Sequence, residues 1–273
     1  MNINLTIFSN FRINDAERLD DMKNSLVSFS KIEAKWVINI RGKYKNEARL
    51  LINELLQNKC KISHVESKKG WRKDSILFLD QINTEYILYW IEDHICQVSV
   101  NKINSIVNEM LDNKIDYLSY TWFFPDLIES WYAKISKIDL NNFFYFDLNN
   151  LNHNKIDLSL RDLYLISLPS IFSKKLFVRI LKSRRPFLRR WPKETPFDFE
   201  KKYTDKYILP FRIAIPKFEL FACIDDDNGV IGYSLCSRGL YNKNIIQHRA
   251  KKKSKYFIID HIKYYLKRLT FHI

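Results

Sequence analysis

Thr84-Glu85-Tyr86-Ile87-Leu88-Tyr89-Trp90-Ile91-Glu92-Asp93-His94 sets six apolar residues, rich in aromatic and β-branched types, directly ahead of two carboxylates and an imidazole. A run this apolar, bounded by Glu85 and Glu92, reads as a strand buried on both faces, the usual state in a parallel sheet. Ligands of open α/β sheets bind outside the carboxyl ends of such strands. Glu92, Asp93 and His94 therefore stand where an α/β protein does its chemistry. Paired carboxylates there suit a hard divalent cation carrying phosphate oxygens. Taken alone, they suit equally well a solvated acidic turn closing a strand.

Working outward, the chain alternates two periodicities. Residues 4–8 and 35–40 are short apolar strands, the second centred on Trp36-Val37-Ile38. Residues 15–29 place Leu19, Met22, Leu26 and Phe29 at helical spacing, and residues 46–56 do the same with Leu50, Leu51, Leu55 and Leu56. Residues 60–65 make a weaker third strand, 74–82 a short helix, 98–110 a longer helix and 117–122 another strand. Strands alternating with helices mean βαβ units. The expected fold class is α/β, with a mainly parallel central sheet flanked by helices.

Past about residue 125 the rhythm breaks. Residues 141–154 are Asn-rich and read as loop or irregular strand, 162–168 as a strand, and 173–183 as a basic helix. Pro186, Pro192 and Pro196 punctuate an irregular stretch, a short helix starts near Glu194, and 207–215 and 218–224 read as strands. Residues 256–269 put Ile258, Ile262, Tyr265, Leu266 and Leu269 on one helical face, with Lys255, Lys263, Lys267 and Arg268 away from it. Such a basic amphipathic helix can lie in an anionic membrane interface or pack on a domain with its charges in water.

The 273 residues, 46% apolar and 15% aromatic, are enough for a sizeable core and exclude a disordered chain. Residues 1–9 lack the pattern of a secretory signal, and no apolar stretch is long enough to cross a bilayer. Cys60, Cys96, Cys223 and Cys236 form no CxxC pair, which argues against a zinc knuckle or disulfide framework and fits a reducing cytoplasm. The net charge of +14 is local: residues 174–193 carry +9 and residues 238–273 another +9, leaving the rest slightly acidic. Such surfaces attract phosphate-rich partners.

Other polar groups open at the same sheet edge as Glu92 and Asp93. Ser9-Asn10 closes the first strand, Arg41-Gly42-Lys43 follows the second, and Gly70-Trp71-Arg72-Lys73-Asp74 precedes the short helix. Arg41 suits a phosphate; Trp71 suits stacking on a base or capping the core; Asp74 suits a ribose hydroxyl or a helix N-cap.

This layout resembles the GT-A glycosyltransferases of the family-2-like, nucleotide-sugar-dependent type. The resemblance rests on the βαβ order of residues 3–122 and on the Glu92-Asp93 pair, which matches the Glu-Asp-Asp or Asp-x-Asp motif, with Thr84-Glu85-Tyr86-Ile87-Leu88 as the phrase leading into it. His94 replaces the third acid. The resemblance implies a Rossmann-like nucleotide-sugar-binding half at residues 1–125, an acceptor-side half at 126–237 and a basic C-terminal segment at 238–273. It implies that Ser9, Arg41, Trp71, Asp74, Glu92 and Arg238 contact the donor, and that Asp93 and His248 hold Mn²⁺ or Mg²⁺. The stretch Thr195-Pro196-Phe197-Asp198-Phe199-Glu200 resembles the family's acceptor-side segment, making Glu200 the catalytic base with Asp198 behind it.

Asp225-Asp226-Asp227-Asn228-Gly229 also contains a literal Asp-x-Asp. Asn-Gly between two apolar runs is a hairpin signal, so this segment reads as a turn. The function implied is transfer of a sugar to a glycan or lipid-linked acceptor, in bacterial capsule or lipopolysaccharide synthesis, in the cytoplasm or peripherally at the inner face of its membrane. The alternative is a basic nucleic-acid-binding protein, or a nuclease using Glu92 and Asp93 for metal chemistry. No nucleic-acid recognition motif supports it, and the basic stretches lie outside the α/β half.

Overall fold

Side chains of strand β1 (Leu5–Arg12) alternate between two hydrophobic layers: Leu5, Ile7 and Phe11 enter one, Phe8 the other. Strands β2 (Lys35–Arg41) and β4 (Tyr86–Tyr89) repeat the pattern, with Trp36, Ile38, Tyr86 and Leu88 on the first side and Val37, Ile87 and Tyr89 on the second. A strand that is apolar on both faces must be covered twice. Helices α1 (Ala16–Phe29), α2 (Lys45–Leu56) and α4 (Val100–Asp112) cover the first face. Helices α3 (Trp71–Ile76) and α5 (Lys174–Lys182) cover the second.

The computed structural model describes residues 4–67, 70–119, 136–148, 169–182, 212–226 and 232–243. Helices α1 and α4 begin where the sequence provides a cap, whereas α2 starts after Tyr44 without a side-chain cap. Asp15 accepts from the Arg18 amide at the start of α1, and Ser99 accepts from the Lys102 amide at the start of α4. The apolar spacing of α1 buries Met22, Leu26 and Phe29, as expected, while Asp21 and Ser25 are buried beside them.

β1 pairs in parallel with β2 and β4, and β2 pairs in parallel with β3 (Cys60–Ser63). Beyond β4 comes β9 (Ser170–Ser173), antiparallel to both β4 and β6 (Tyr117–Leu118). β10 (Arg212–Pro216) runs parallel to β6, and β8 (Phe143–Asp147) and β7 (Lys137–Asp139) follow antiparallel. In the order β3-β2-β1-β4-β9-β6-β10-β8-β7, only β9 and β8 run against the others. The expected α/β class, with a mainly parallel sheet between helices, is what the structure has.

Several elements depart from the sequence reading: the Asn-rich stretch read as loop or irregular strand holds the regular strand β8, and the helix expected at 74–82 runs instead from Trp71 to Ile76. Ser170–Ser173, lying between the strand expected at 162–168 and the helix expected at 173–183 and overlapping the latter at Ser173, is a buried strand wedged between β4 and β6. The strand expected at 218–224 narrows to β11 (Phe221–Cys223) and leaves the main sheet, pairing instead with β5 (His94–Cys96) in a two-stranded antiparallel ribbon. The segments 162–168, 183–200 and 256–269 lie outside the described residues. The chain divides into two units, Met1–Leu240 and Tyr241–Ile273, and the site lies in the first. Among the described residues no helix is long and apolar enough to cross a membrane.

Candidate functional site at the carboxyl edge of β4

The exit of β4 is held by hydroxyls. Ser9 of β1 donates to the Trp90 carbonyl at 2.6 Å. Ser25 of α1 accepts from the Trp90 indole at 2.8 Å and donates to the His94 carbonyl. One turn on, the Ser28 hydroxyl accepts from the Cys96 amide at 3.0 Å. This small polar stripe lets α1 close on the backbone of residues 90–96 without leaving its donors and acceptors unmet. The segment Ile91–His94 is thereby tied down on the α1 side, and the His94 amide donates back to the Ile91 carbonyl at 3.3 Å.

That conformation places Glu92 and Asp93 beneath Arg18, in the first turn of α1. One guanidinium nitrogen stands 2.6 Å from Glu92 Oε1 and 3.4 Å from Asp93 Oδ2. The other Asp93 oxygen meets His94 Nδ1 at 2.7 Å. Burial pushes the Glu92 carboxyl up, and Asp93 adds to that rise, while Arg18 opposes it. Burial would raise Asp93 too, but the charge and hydrogen bond of His94, with Arg18, hold it down at about 2. Asp93 is thus an anion with 24% of its side chain in solvent, whereas Glu92 keeps only 6%.

The other sheet face carries a second group. Asn10 donates to the Trp71 carbonyl at 3.2 Å and to Ser75 at 2.8 Å, while the Trp71 indole donates to the Asn10 carbonyl at 2.8 Å. Trp71 is 2% exposed and packs edge-on against Tyr89, so in this structure it caps the core. Asp74 is not the N-cap of α3, a place taken by Gly70. It sits buried in the helix and accepts from the amide of Ser67 at 3.1 Å and from its hydroxyl, tying down the loop after β3.

Arg41 is buried at the end of β2, its pKa lowered by burial and by Arg12 nearby. Gly42 makes the bend after it: at φ +95, a Cβ there would meet the Ile13 carbonyl at 2.5 Å. The Tyr89 phenol, driven up mainly by burial, is raised further by Glu92 and drawn back by Arg41.

The β5–β11 ribbon closes the third side. Cys223 lies directly opposite His94, and the Ile224 amide donates to the Asp93 carbonyl at 2.9 Å. Burial pushes the Cys223 thiol well up. Asp225 comes within ligand distance of Glu17 and Asp21 on α1, so the literal Asp-x-Asp begins beside the same helix as Glu92-Asp93. Asp227 to Gly229 lie outside the described residues.

The structure brings together Arg18, Glu92 and Asp93, while Arg41 ends β2 at the same edge of the sheet. Ser9, Trp71 and Asp74 lie immediately behind them as supports, all at most 2% exposed. Arg238 stands apart: both its terminal nitrogens pair with Glu219, at 2.8 and 2.9 Å, ahead of β11, whereas Asp93 and His94 meet the other end of that strand. Glu200, Asp198 and His248 lie outside the described residues. Sequence reasoning missed Arg18, Ser25 and Cys223. A buried-face Ser25 three residues after Met22 is the one local signal that α1 packs on backbone rather than on side chains.

For a divalent cation the fit is simple. Asp93 is ionised and partly open, as a hard ion needs, while Arg18 holds Glu92 more closely than it holds Asp93. One carboxylate plus substrate phosphates is a common way to hold Mg²⁺.

No protein-family model and no curated protein sequence matches this chain. Among solved structures it is similar to TarS of S. aureus, with TM-score 0.46 and 11% identity over 83% of this chain and 37% of TarS. It is similar also to the mannosyltransferase PcManGT of Pyrobaculum calidifontis, in complex with GDP-Man and Mn²⁺, with TM-score 0.44 and 9% identity over 80% of this chain and 57% of that one. A cytidylyltransferase of Leptospira borgpetersenii gives TM-score 0.37 and 13% identity, over 68% of each chain. This chain thus spans less than two thirds of TarS and of the mannosyltransferase. Likenesses this loose carry no argument about activity, which rests on the residues of the site.

Proposed function

We propose that this chain is a glycosyltransferase that moves a sugar from a nucleotide-diphosphate donor to a glycan or lipid-linked acceptor. The observation that carries the reading is the Glu92-Asp93 pair, held by Arg18 at the carboxyl edge of β4, with Arg41 on the same edge. Nucleotides bind at this edge in α/β sheets. The mix of an open carboxylate, the Arg18 guanidinium beside it and Arg41 at the same sheet edge suits a diphosphate that arrives with a cation.

Asp93 would hold Mn²⁺ or Mg²⁺, and the ion, when bound, neutralises the departing diphosphate. Arg18 and Arg41 bind and orient the phosphates. Trp71, Asp74 and Ser9 build the wall behind the donor, and Glu92 keeps Arg18 in reach. Glu200 takes the proton from the acceptor hydroxyl, with Asp198 beside it in sequence. His248 is the second metal ligand and Arg238 a donor contact in this reading. The basic stretches 174–193 and 238–273 hold a diphosphate-lipid acceptor or the inner surface of the cytoplasmic membrane, the setting of bacterial surface-polysaccharide synthesis.

Thermal-shift measurements with UDP, GDP, CMP and their sugars, with and without Mn²⁺, test this. Stabilisation by one nucleotide class, strengthened by metal and lost in Asp93→Asn, is the expected result. Indifference to every nucleotide, with steeply salt-dependent binding of DNA or RNA, rejects it.

A further inference from the structure

We infer that Asp93, His94 and Cys223 form a binding site for a borderline divalent ion, such as Zn²⁺ or Co²⁺, in the free protein. One carboxylate oxygen, one ring nitrogen and the Cys223 sulfur lie within 4.8 Å of one another. Nitrogen, oxygen and thiolate ligands bind zinc at about 2.0–2.3 Å, so a bound ion needs ligand pairs roughly 3–4 Å apart. Small side-chain adjustments bring the three atoms to that spacing.

The site is built by register, not by chance contact. Cys223 and His94 are directly paired residues of the β5–β11 ribbon, and cross-strand partners share a face. The Ile224 amide bonds to the Asp93 carbonyl, and Ser25 bonds to the His94 carbonyl, so the backbone carrying all three ligands is pinned from both sides. Two of the ligands are enclosed, His94 at 4% and Cys223 at 3% exposure, while Asp93 at 24% leaves an entry path.

The two Asp93 oxygens are already divided: Oδ1 faces His94, and Oδ2 faces Arg18. An ion on the His94 side leaves Arg18 with Glu92, its nearer partner at 2.6 Å. Imidazole and thiolate select zinc-like ions over Mg²⁺. On binding, Cys223 releases its thiol proton to solvent, so affinity rises with pH. The site shares Asp93 with the proposed donor site, yet stands whether or not a nucleotide sugar is the substrate.

The test is titration of Co²⁺ into the full-length, metal-free protein, without nucleotide and under a phosphine reductant. One equivalent is expected to bind, with near-ultraviolet thiolate-to-cobalt charge-transfer absorption that Zn²⁺ abolishes. Cys223→Ser removes that absorption and weakens binding about tenfold or more, while Cys96→Ser and Cys236→Ser keep it. X-ray absorption of the Zn²⁺-loaded wild type needs no variant to fold and is expected to show one sulfur neighbour. Cobalt bound without the charge-transfer band, a band that survives Cys223→Ser, or zinc with no sulfur neighbour overturns the inference. Nucleotide binding in Mg²⁺, followed by thermal shift on the same samples, reports separately on the donor reading.

Discussion

Arg18 reaches from the first turn of α1 to place one guanidinium nitrogen 2.6 Å from Glu92 Oε1, and it is the ion-pair partner of this carboxylate among the described residues. Burial alone drives Glu92 towards its neutral form, and Asp93 next to it adds like-charge repulsion. The same guanidinium stands 3.4 Å from Asp93, so one cation serves two acids. Arg18 does within the protein what a metal ion does for paired carboxylates elsewhere.

Arg18→Ala is therefore expected to destabilise the fold by about 1–3 kcal/mol, since an enclosed carboxylate loses its partner. Glu92→Gln in that background is expected to recover part of the loss. Urea denaturation of the four proteins of the double-mutant cycle measures the coupling. Strict additivity of the two substitutions would falsify the pairing as an energetic unit.

Acid stability reports on Asp93. Its carboxyl is held at about 2 against an ordinary 3.8, chiefly by His94 working against burial. A group depressed in the folded state contributes stability that is complete above its unfolded value and is lost as pH falls through its folded one. The stability gap between wild type and Asp93→Asn should accordingly close between about pH 4 and pH 2. Calorimetric scans across that window check it; a gap of constant size down to pH 2 contradicts the assignment.

Gly42→Ala is expected to cost about 1–3 kcal/mol. The residue sits at φ +95, where a Cβ is strained, and the new methyl would press on the Ile13 carbonyl at 2.5 Å. Because the bend also aims Arg41, nucleotide binding should weaken alongside stability. A fully stable variant, seen as an unshifted melting temperature, shows that the bend relaxes.

Ser25→Ala removes at once the acceptor of the Trp90 indole and the donor to the His94 carbonyl. Each is buried, so a loss of about 1–3 kcal/mol is expected. The emission of Trp90 should also shift as its indole N–H loses its partner. Ser28→Ala, which removes the acceptor of the half-buried Cys96 amide and a bond to the Ser25 carbonyl of its own helix, is expected to be milder.

Glu200→Gln separates binding from chemistry in the proposed reaction. With the base removed, turnover is expected to fall by about 10²-fold or more, while nucleotide binding stays at the wild-type level. Unchanged turnover assigns the base elsewhere, with Asp198→Asn as the next variant.

Much of the fold could be read from local pattern. Trp36-Val37-Ile38 and Tyr86-Ile87-Leu88-Tyr89 read as strands because they are short, β-branched or aromatic and apolar on both sides, and Met22, Leu26 and Phe29 repeat at a helical interval. Asp15 and Ser99 mark helix starts through their own side chains. Ser170–Ser173 could not be read this way. Four residues carry too little pattern, and their strand state is fixed by pairing with β4 and β6 on either side. Trp71 and Asp74 are legible as residues at the sheet edge but not in their roles, which depend on Asn10 and Ser67 arriving beside them.

An apolar strand ending in Glu92, Asp93 and His94 within a βαβ series is legible in the chain alone, because strand burial and helix amphipathicity are encoded in neighbouring residues. What those groups touch is set by long-range packing. Arg18 comes from 74 residues upstream of Glu92, and Cys223 arrives opposite His94 through a ribbon pairing that no local pattern predicts. The charge state of a carboxylate depends on what stands within a few ångströms of it. Here those neighbours were assembled by sheet register and by one helix packing through its serines.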